Sequence, residues 1–385
     1  VIKVRELKRR YELEGAEKTI EHLSEALAGR HLRPEDFSIR GLAEGLVPDG
    51  REWLDSMDPR RGGFIQEAGE TVDVTAFSNI TGQIVYSKIM EAYQREEFVV
   101  SRLVETIPTR FDGEKIAGIT GITDDIQEIR PGMPYPALGF GEDYIETPST
   151  TKRGFIVPVT KEAIFFDRTH QVLSRAAEVG EILGLNKEKR LLDLVIGVTN
   201  TYNWKGTTYN TYQTSAPWIN VLATNTLVDW TNVDAVEQVF ANILDPNTGE
   251  PVLVSANQVL VCPQYHSAAM RVFNAALIDY TTTGGPTRTR VDAGAILRER
   301  SYRVDESRLM YRRLLAAGVS SPEKTWFLGD LRKAFAYMEN WPITVTQAVQ
   351  NSEAEFTQDI VVRFKASERG AAAVLNPRFI VMSTG

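Results

Sequence analysis

Lys152-Arg-Gly-Phe-Ile-Val-Pro-Val-Thr160, then Lys161-Glu-Ala-Ile-Phe-Phe-Asp167, then a helical run from about His170 to Val198, decide how this chain folds. The first piece is a compact β-branched and aromatic run that reads as a strand. In the last piece Val172, Ala176, Val179 and Leu183 recur on one face, and Leu191, Leu194 and Val195 carry the stripe onward. At 1.5 Å per residue such a helix is roughly 40 Å long, a backbone element for a whole domain. Gly180 and Gly184 interrupt it one turn apart, each costing about 1 kcal/mol against Ala. Two readings follow: close packing of a neighbouring element, or a built-in bend.

Upstream, residues 1 to about 60 are dense in alternating charge, with Glu17, Glu21 and Glu25 beside Ile20, Leu23 and Leu27 in the pattern of an amphipathic helix. Pro34, Pro48 and Pro59 interrupt the pattern, so this segment is expected to be an extended arm of short helices that buries little of its own. Ser78 is the expected cap of a helix through Ile80, Ile84, Ile89 and Tyr93. From 112 to 153, Gly113, Gly118, Gly121, Pro131, Pro134 and Pro136 punctuate a stretch poor in large apolar residues, flanked by β-prone pieces such as Asp143–Thr147. This spacing predicts a long two-stranded excursion with a loose tip, one that is functional or packs on another molecule.

Downstream, Tyr202–Tyr212 reads as a polar hairpin with aromatic anchors. A helix is expected near Val233–Leu244, a strand at Val259–Cys262, and a helix from Pro263 to about Ala276. Thr281–Arg290 reads as a flexible loop. The alternation in 360–366, the Arg369-Gly370 pair and the run Phe379–Met382 read as a terminal hairpin or meander.

Composition narrows the function. With 43 Lys plus Arg against 51 Asp plus Glu, the net charge of -8 argues against tight whole-surface binding of nucleic acid. One cysteine and four histidines leave neither an internal disulfide nor a zinc site built on Cys pairs. No apolar run approaches the roughly 18 residues of a membrane span, and the charged start does not resemble a secretory signal. The expectation is a soluble, intracellular protein without cofactor or metal. No nucleotide-binding, zinc-hydrolase or nucleophile-elbow motif is present. Cys262, opening a helix with His266 four residues on, is the best catalytic candidate, although a lone Cys in Val-Leu-Val-Cys usually packs as a hydrophobe. The acids Asp124, Asp125 and Glu128, and Glu142, Asp143 and Glu146, read as surface charge that pairs with a neighbouring subunit. Gly284 and Gly285 beside Arg288 and Arg290 read as a mobile loop, or weakly as a phosphate wrap.

Three stretches, taken in order, resemble the major capsid protein of tailed double-stranded-DNA bacteriophages, a fold shared with encapsulins and the herpesvirus capsid floor. Lys152–Asp167 resembles that family's strand and turn into the spine helix. Trp326-Phe-Leu-Gly-Asp330, with Lys333–Ile343, is similar to its Trp-Gly-Asp strand and acidic return. Phe356–Arg369 with Val374–Phe379 is similar to its closing strands. The resemblance implies an α+β phage capsid fold with an N-terminal arm at 1–75 and an extended loop at 112–153. It also implies a peripheral domain from 76–111, 154–198 and 346–385, holding the spine helix, and an axial domain at 199–345.

By the same resemblance the function is a shell of pentamers and hexamers around double-stranded DNA, assembled in the host cytoplasm with scaffold and portal proteins, and the protein is not an enzyme. Glu128, Arg130, Glu142, Asp143, Lys152 and Arg153 are the expected assembly residues. Gly180 and Gly184 supply helix flexibility, and Gly284, Gly285, Arg288 and Arg290 an axial loop. Some members cross-link a loop Lys to a neighbour's Asn; the tip from Glu128 to Tyr144 has no Lys, so that chemistry is not expected. The competing readings are an encapsulin-type compartment, an α+β enzyme using Cys262, and a monomeric binding module.

Overall fold

A computed structural model describes residues 4–47, 50–56, 75–117, 144–245, 249, 251–274, 278–281, 288–291, 297, 300–347 and 360–385. The chain divides into two compact units: residues 1–95, 152–186 and 341–369 form the first, and 96–151, 187–340 and 370–385 the second. The chain passes between them within the helix Thr169–Val195 and within the strands Phe335–Gln347 and Ile360–Val374.

In the first unit the expected arm folds against its own chain. Helices Val4–Glu14, Ala16–Ala28 and Ile39–Leu46 bury Leu7, Leu23, Leu27, Leu42 and Leu46 in one core with Phe77, Ile80, Ile84 and Ile89 of the helix Thr75–Tyr93. This corrects the expectation that residues 1–75 bury little of their own. An apolar stripe on a charged helix needs a partner surface, and intramolecular helices supply it. Gly15, at φ +86°, turns the chain between the first two helices.

The third helix is fastened at its start. Ser38 Oγ accepts from Gly41 N at 3.0 Å as a cap and donates to Asp167 Oδ2 at 2.9 Å. Ile39 N donates to Thr169 Oγ1 at 2.8 Å, and Arg40 Nη1 donates to the Phe165 carbonyl at 3.0 Å. Asp167 holds a left-handed φ of +50°, which aims its carboxylate at these partners.

The helix Thr75–Tyr93 starts three residues before the expected cap, and Ser78 is fully buried inside it. Against it packs the long helix Thr169–Val195, which matches the expected spine within a few residues. At Gly180 a Cβ would lie 2.2 Å from the Ile89 carbonyl oxygen and 3.0 Å from Ala92 Cβ. Gly180 therefore permits backbone-to-backbone packing, the first of the two readings; Gly184 is buried one turn on. The sheet of this unit carries 341–347, 360–369 and 152–160 in that order, with Val157, Val159, Phe364 and Ala366 facing the core. Phe364 seats its ring 3.1 Å from where Gly82 would carry a Cβ.

In the second unit a five-stranded sheet has the order Arg303–Glu306, Gln258–Val261, Trp326–Gly329, Ile380–Ser383, Val221–Leu222. Trp326–Gly329 runs antiparallel to both neighbours, while the outer pairings are parallel. Helices Trp230–Asn242 and Pro263–Phe273 cover it, and Trp326, Phe327 and Leu328 are at most 1% exposed. The strand Phe335–Gln347 pairs in parallel with Glu105–Pro108.

Ile360–Val374 is one continuous strand, and Ile380–Ser383 joins the five-stranded sheet, so the tail is not a hairpin. Gly370, inside that continuous strand, makes a close contact: a Cβ there would meet the Tyr337 ring at 2.6 Å. Residues 281–290 are not wholly loop either, since Arg288–Val291 pairs antiparallel with Ile278–Thr281.

Gly180→Ala gains about 1 kcal/mol of helix propensity but forces Ile89 aside, and overpacking of this kind costs about 1–3 kcal/mol. The expected result is a lower urea midpoint for the subunit; an unchanged or higher midpoint would contradict the close approach.

Lys88 Nζ meets Glu35 at 2.6 Å and Glu91 at 2.8 Å. The hydrogen bond from Lys88 holds the Glu35 carboxyl below its ordinary 4.5, against the opposing effect of partial burial. Burial disfavours the Lys88 ammonium, yet its bonds to Glu35 and Glu91 outweigh that and raise its pKa. A lowered carboxylate pKa stabilises above the unfolded value and loses that effect as pH falls through the folded one. Thermal melting of Glu35→Gln beside the wild type should therefore show a gap at pH 7 that narrows below about pH 4.5.

Candidate assembly site

The expected excursion at 112–153 has a root that the structure describes. Lys115–Ala117 pairs antiparallel with Tyr144–Glu146, which pairs in turn with Tyr202–Trp204, and that strand with Thr207–Tyr209. All four strands are two to three residues long in their pairings, too short to be stable alone. The alternation of side chains gives the sheet two unlike faces.

On one face the register lines up Lys115, Glu146, Asn203 and Thr208 across the four strands. Lys115 Nζ lies 3.1 Å from Glu146 Oε1 and 4.4 Å from the centre of the Tyr144 ring. Asn203 Nδ2 donates to Glu146 Oε2 at 2.7 Å. The hydrogen bond to Glu146 leads in raising the pKa of the Lys115 ammonium. Below the root, Asp112 Oδ1 accepts from Thr150 N at 2.7 Å and from Thr150 Oγ1 at 3.0 Å, and Glu114 N donates to Thr147 Oγ1 at 2.9 Å. Gly113, at φ +77°, makes the turn that brings these two segments together.

The other face is apolar. Ile145 is buried among Tyr202, Trp204, Tyr209 and Trp218. Tyr202 and Trp218 meet edge to face at 5.3 Å, while Trp204 and Tyr209, at 5.9 Å, and Tyr209 and Trp218, at 5.5 Å, pack at a tilt. All three centroid separations lie in the range in which aromatic rings attract one another. The segment 118–143 thus leaves from and returns to a sheet clamped on both faces.

Of the expected assembly residues, Glu128, Arg130, Glu142 and Asp143 lie outside the described residues, as do Gly284 and Gly285, and Asp124 and Asp125. Lys152 and Arg153 sit at the start of the edge strand Thr151–Thr160. Lys152 Nζ stands 5.7 Å and Arg369 Cζ 5.6 Å from the centre of the Trp341 ring, which two cations therefore flank. On the same strand Phe155 and Ile156 are 45% and 58% exposed, and as consecutive residues they present apolar surface on both faces of a sheet edge. Arg288 and Arg290 lie on the short strand described above.

Cys262, directly after the strand Gln258–Val261, is a buried hydrophobe. It is 0% exposed, its Sγ lies 3.2 Å from the Pro322 carbonyl, and burial, with the nearby Glu323 carboxylate, pushes the thiol up to about 12. At neutral pH only on the order of one such thiol in 10⁵ would be ionised. His266 pairs with Glu306 instead, Nδ1 to Oε2 at 3.3 Å. Among the described residues no group of three or more His, Cys, Asp or Glu could hold a metal ion, and no helix is long and apolar enough to cross a membrane.

Asn203 and Lys115 are the residues that sequence reasoning missed. Lys115-Ile-Ala117 and Tyr144-Ile-Glu146 share an alternation that could have paired them. Nothing local pairs either with Tyr202–Trp204.

The profile of the phage capsid protein family matches residues 144–383, more than half of the chain. The chain belongs to the phage capsid protein family. The capsid chain is accordingly a structural protein that assembles with its own copies into a virion shell, and its α+β fold is the one expected from sequence. No curated protein matches it. It is similar to a solved structure from Mycobacterium phage Ogopogo, at 14% identity and TM-score 0.41 over 74% of this chain and 91% of that one. A capsid asymmetric unit of cyanophage Pam1 has 12% identity and TM-score 0.42 over 76% and 92%. The holo-SrpI encapsulin of Synechococcus elongatus PCC 7942 has 12% identity and TM-score 0.42 over 75% and 87%.

For the capsid chain a thiol reagent at neutral pH is expected to label Cys262 at least about a hundredfold more slowly in the native protein than in urea. Equal rates would return Cys262 to consideration as a reactive group.

Proposed function

We propose that this chain is the repeating unit of an icosahedral phage head, forming the pentamers and hexamers that enclose double-stranded DNA. Assembly takes place in the host cytoplasm with scaffold and portal proteins, and the chain performs no catalysis. The observation that carries the reading is the family match over residues 144–383. It is supported by the root at 115–117 and 144–146, which presents the segment 118–143 from a clamped sheet. A side chain of either sign on that segment, from Glu128, Arg130, Glu142 or Asp143, would pair across a subunit boundary.

In this reading residues 112–153 are an intersubunit arm, the long helix belongs to a peripheral domain, and the five-stranded sheet belongs to an axial domain around the symmetry axes. Lys152 and Arg153, beside the exposed Phe155 and Ile156, contribute a contact surface for a neighbouring copy. The axial hairpin with Arg288 and Arg290 faces other copies. The net charge of -8 suits a lining that holds its genome loosely, because tight binding needs a continuous basic footprint.

Negative-stain electron microscopy of the purified protein is the direct test. Closed particles with nuclease-protected duplex DNA after expression with the packaging proteins are expected. Particles that enclose only a protein cargo would point to an encapsulin-type compartment, and a 43 kDa monomer under all salt and crowding conditions would overturn the reading.

Replacing residues 118–143 with a short Gly/Ser linker is expected to leave the subunit folded, because the described core does not use them, while closed shells become rare or fragile. Circular dichroism with thermal melting, beside microscopy of the assembly reaction, separates the two effects. Loss of cooperative folding would place the segment in the core instead.

A further inference from the structure

The root sheet holds an oddity that stability does not explain. Asn203 spends its Nδ2 on Glu146, but its Oδ1 is buried without a hydrogen-bond partner. A buried acceptor left unpaired works against folding, and an exposed pair such as Lys115 with Glu146 contributes little in return. The row Lys115, Glu146, Asn203 is therefore an arrangement with a stability penalty and a geometric result. Glu146 receives Lys115 on one oxygen and Asn203 on the other, so its carboxylate is held from both neighbouring strands.

The geometric result is direction. A two-stranded ribbon twists freely and by variable amounts, and pairing with a third strand removes that freedom. Here the third strand is Tyr202–Trp204, which comes from far along the chain and is itself fixed by its aromatic face on Trp218 and Tyr209. We infer that Asn203 and Lys115 are positioning residues, which orient the paired strands Lys115–Ala117 and Tyr144–Glu146 and so set the direction in which segment 118–143 leaves the body. The farther that segment reaches toward a neighbour, the more a small rotation of this root displaces its contact. The inference rests on the reading of 112–153 as an intersubunit arm.

The test compares Asn203→Asp, Asn203→Ala and the exchange Lys115→Glu with Glu146→Lys in the full chain. Asn203→Asp sets a second carboxylate against Glu146 and repels it. The exchange lets the Asn203 amide turn over, so that its Oδ1 accepts from the lysine at 146 and the row is rebuilt with opposite sense. Three readouts are taken: the subunit melting temperature, amide hydrogen exchange at residues 115–117 and 144–146, and the yield and diameter of closed particles.

For Asn203→Asp, and more weakly for Asn203→Ala, exchange at the root should rise by about tenfold. Closed-shell yield should fall several-fold or the diameters scatter, and the melting temperature should move by less than about 2 °C. The exchange variant should return exchange and yield toward the wild type. Wild-type yield and diameter in Asn203→Asp would overturn the inference, and so would a lowered melting temperature with faster exchange throughout the subunit, which marks a purely structural role. Failure of the wild type itself to assemble would count against the intersubunit reading, while the root exchange rates would still decide whether the clamp exists.

Discussion

The approach of one backbone to another at Gly180 is the constraint on which the first unit depends. The helix Thr169–Val195 comes so near the helix Thr75–Tyr93 that the Ile89 carbonyl occupies the space a Cβ would need. Helices held at that distance leave no room for adjustment, so the residues around the crossing are fixed as a group: Ile80, Ile84 and Ile89 on one side, Val172, Ala176 and Leu183 on the other. The sheet closes beneath them by the same device, since Gly82 admits the Phe364 ring and Gly154 lies against the Ala366 carbonyl. Small residues at three contacts turn a set of ordinary amphipathic elements into a rigid body.

Much of this was legible in sequence, because the elements that matter are long or strongly patterned. The run 154–160, the stripe from Val172 to Val195 and the apolar Trp326-Phe-Leu each announce their structure over several residues. What failed were places where a residue type has two uses. Gly370 falls in the expected hairpin, yet its lack of a side chain makes room for Tyr337 within a continuous strand. The stripe of Leu23 and Leu27 correctly marked an apolar face, but periodicity does not name the surface that covers it, and that surface is the helix Thr75–Tyr93.

The candidate site was legible only in part for a related reason. Gly113 and the flanking β-prone pieces mark an excursion, but the strand that steadies its root lies more than fifty residues away, and register between distant short strands leaves no local trace. Asn203 looks like any polar residue of a loop until its partner is known. Cys262 shows the converse. Its position before a helix suggests reactivity, and the surrounding carbonyl and apolar side chains make it inert.

The interleaving of the two units bears on how the chain emerges during synthesis. Neither unit is contiguous, and both draw on the strand Ile360–Val374 near the carboxyl end. In the first unit that strand lies between 341–347 and 152–160, so the sheet has a gap until it arrives. Translation at about 5–20 residues per second leaves the earlier segments waiting for tens of seconds without their central strand. Until Ile360–Val374 has been synthesised, a nascent chain therefore lacks the strand that both units share, and neither can present a finished surface.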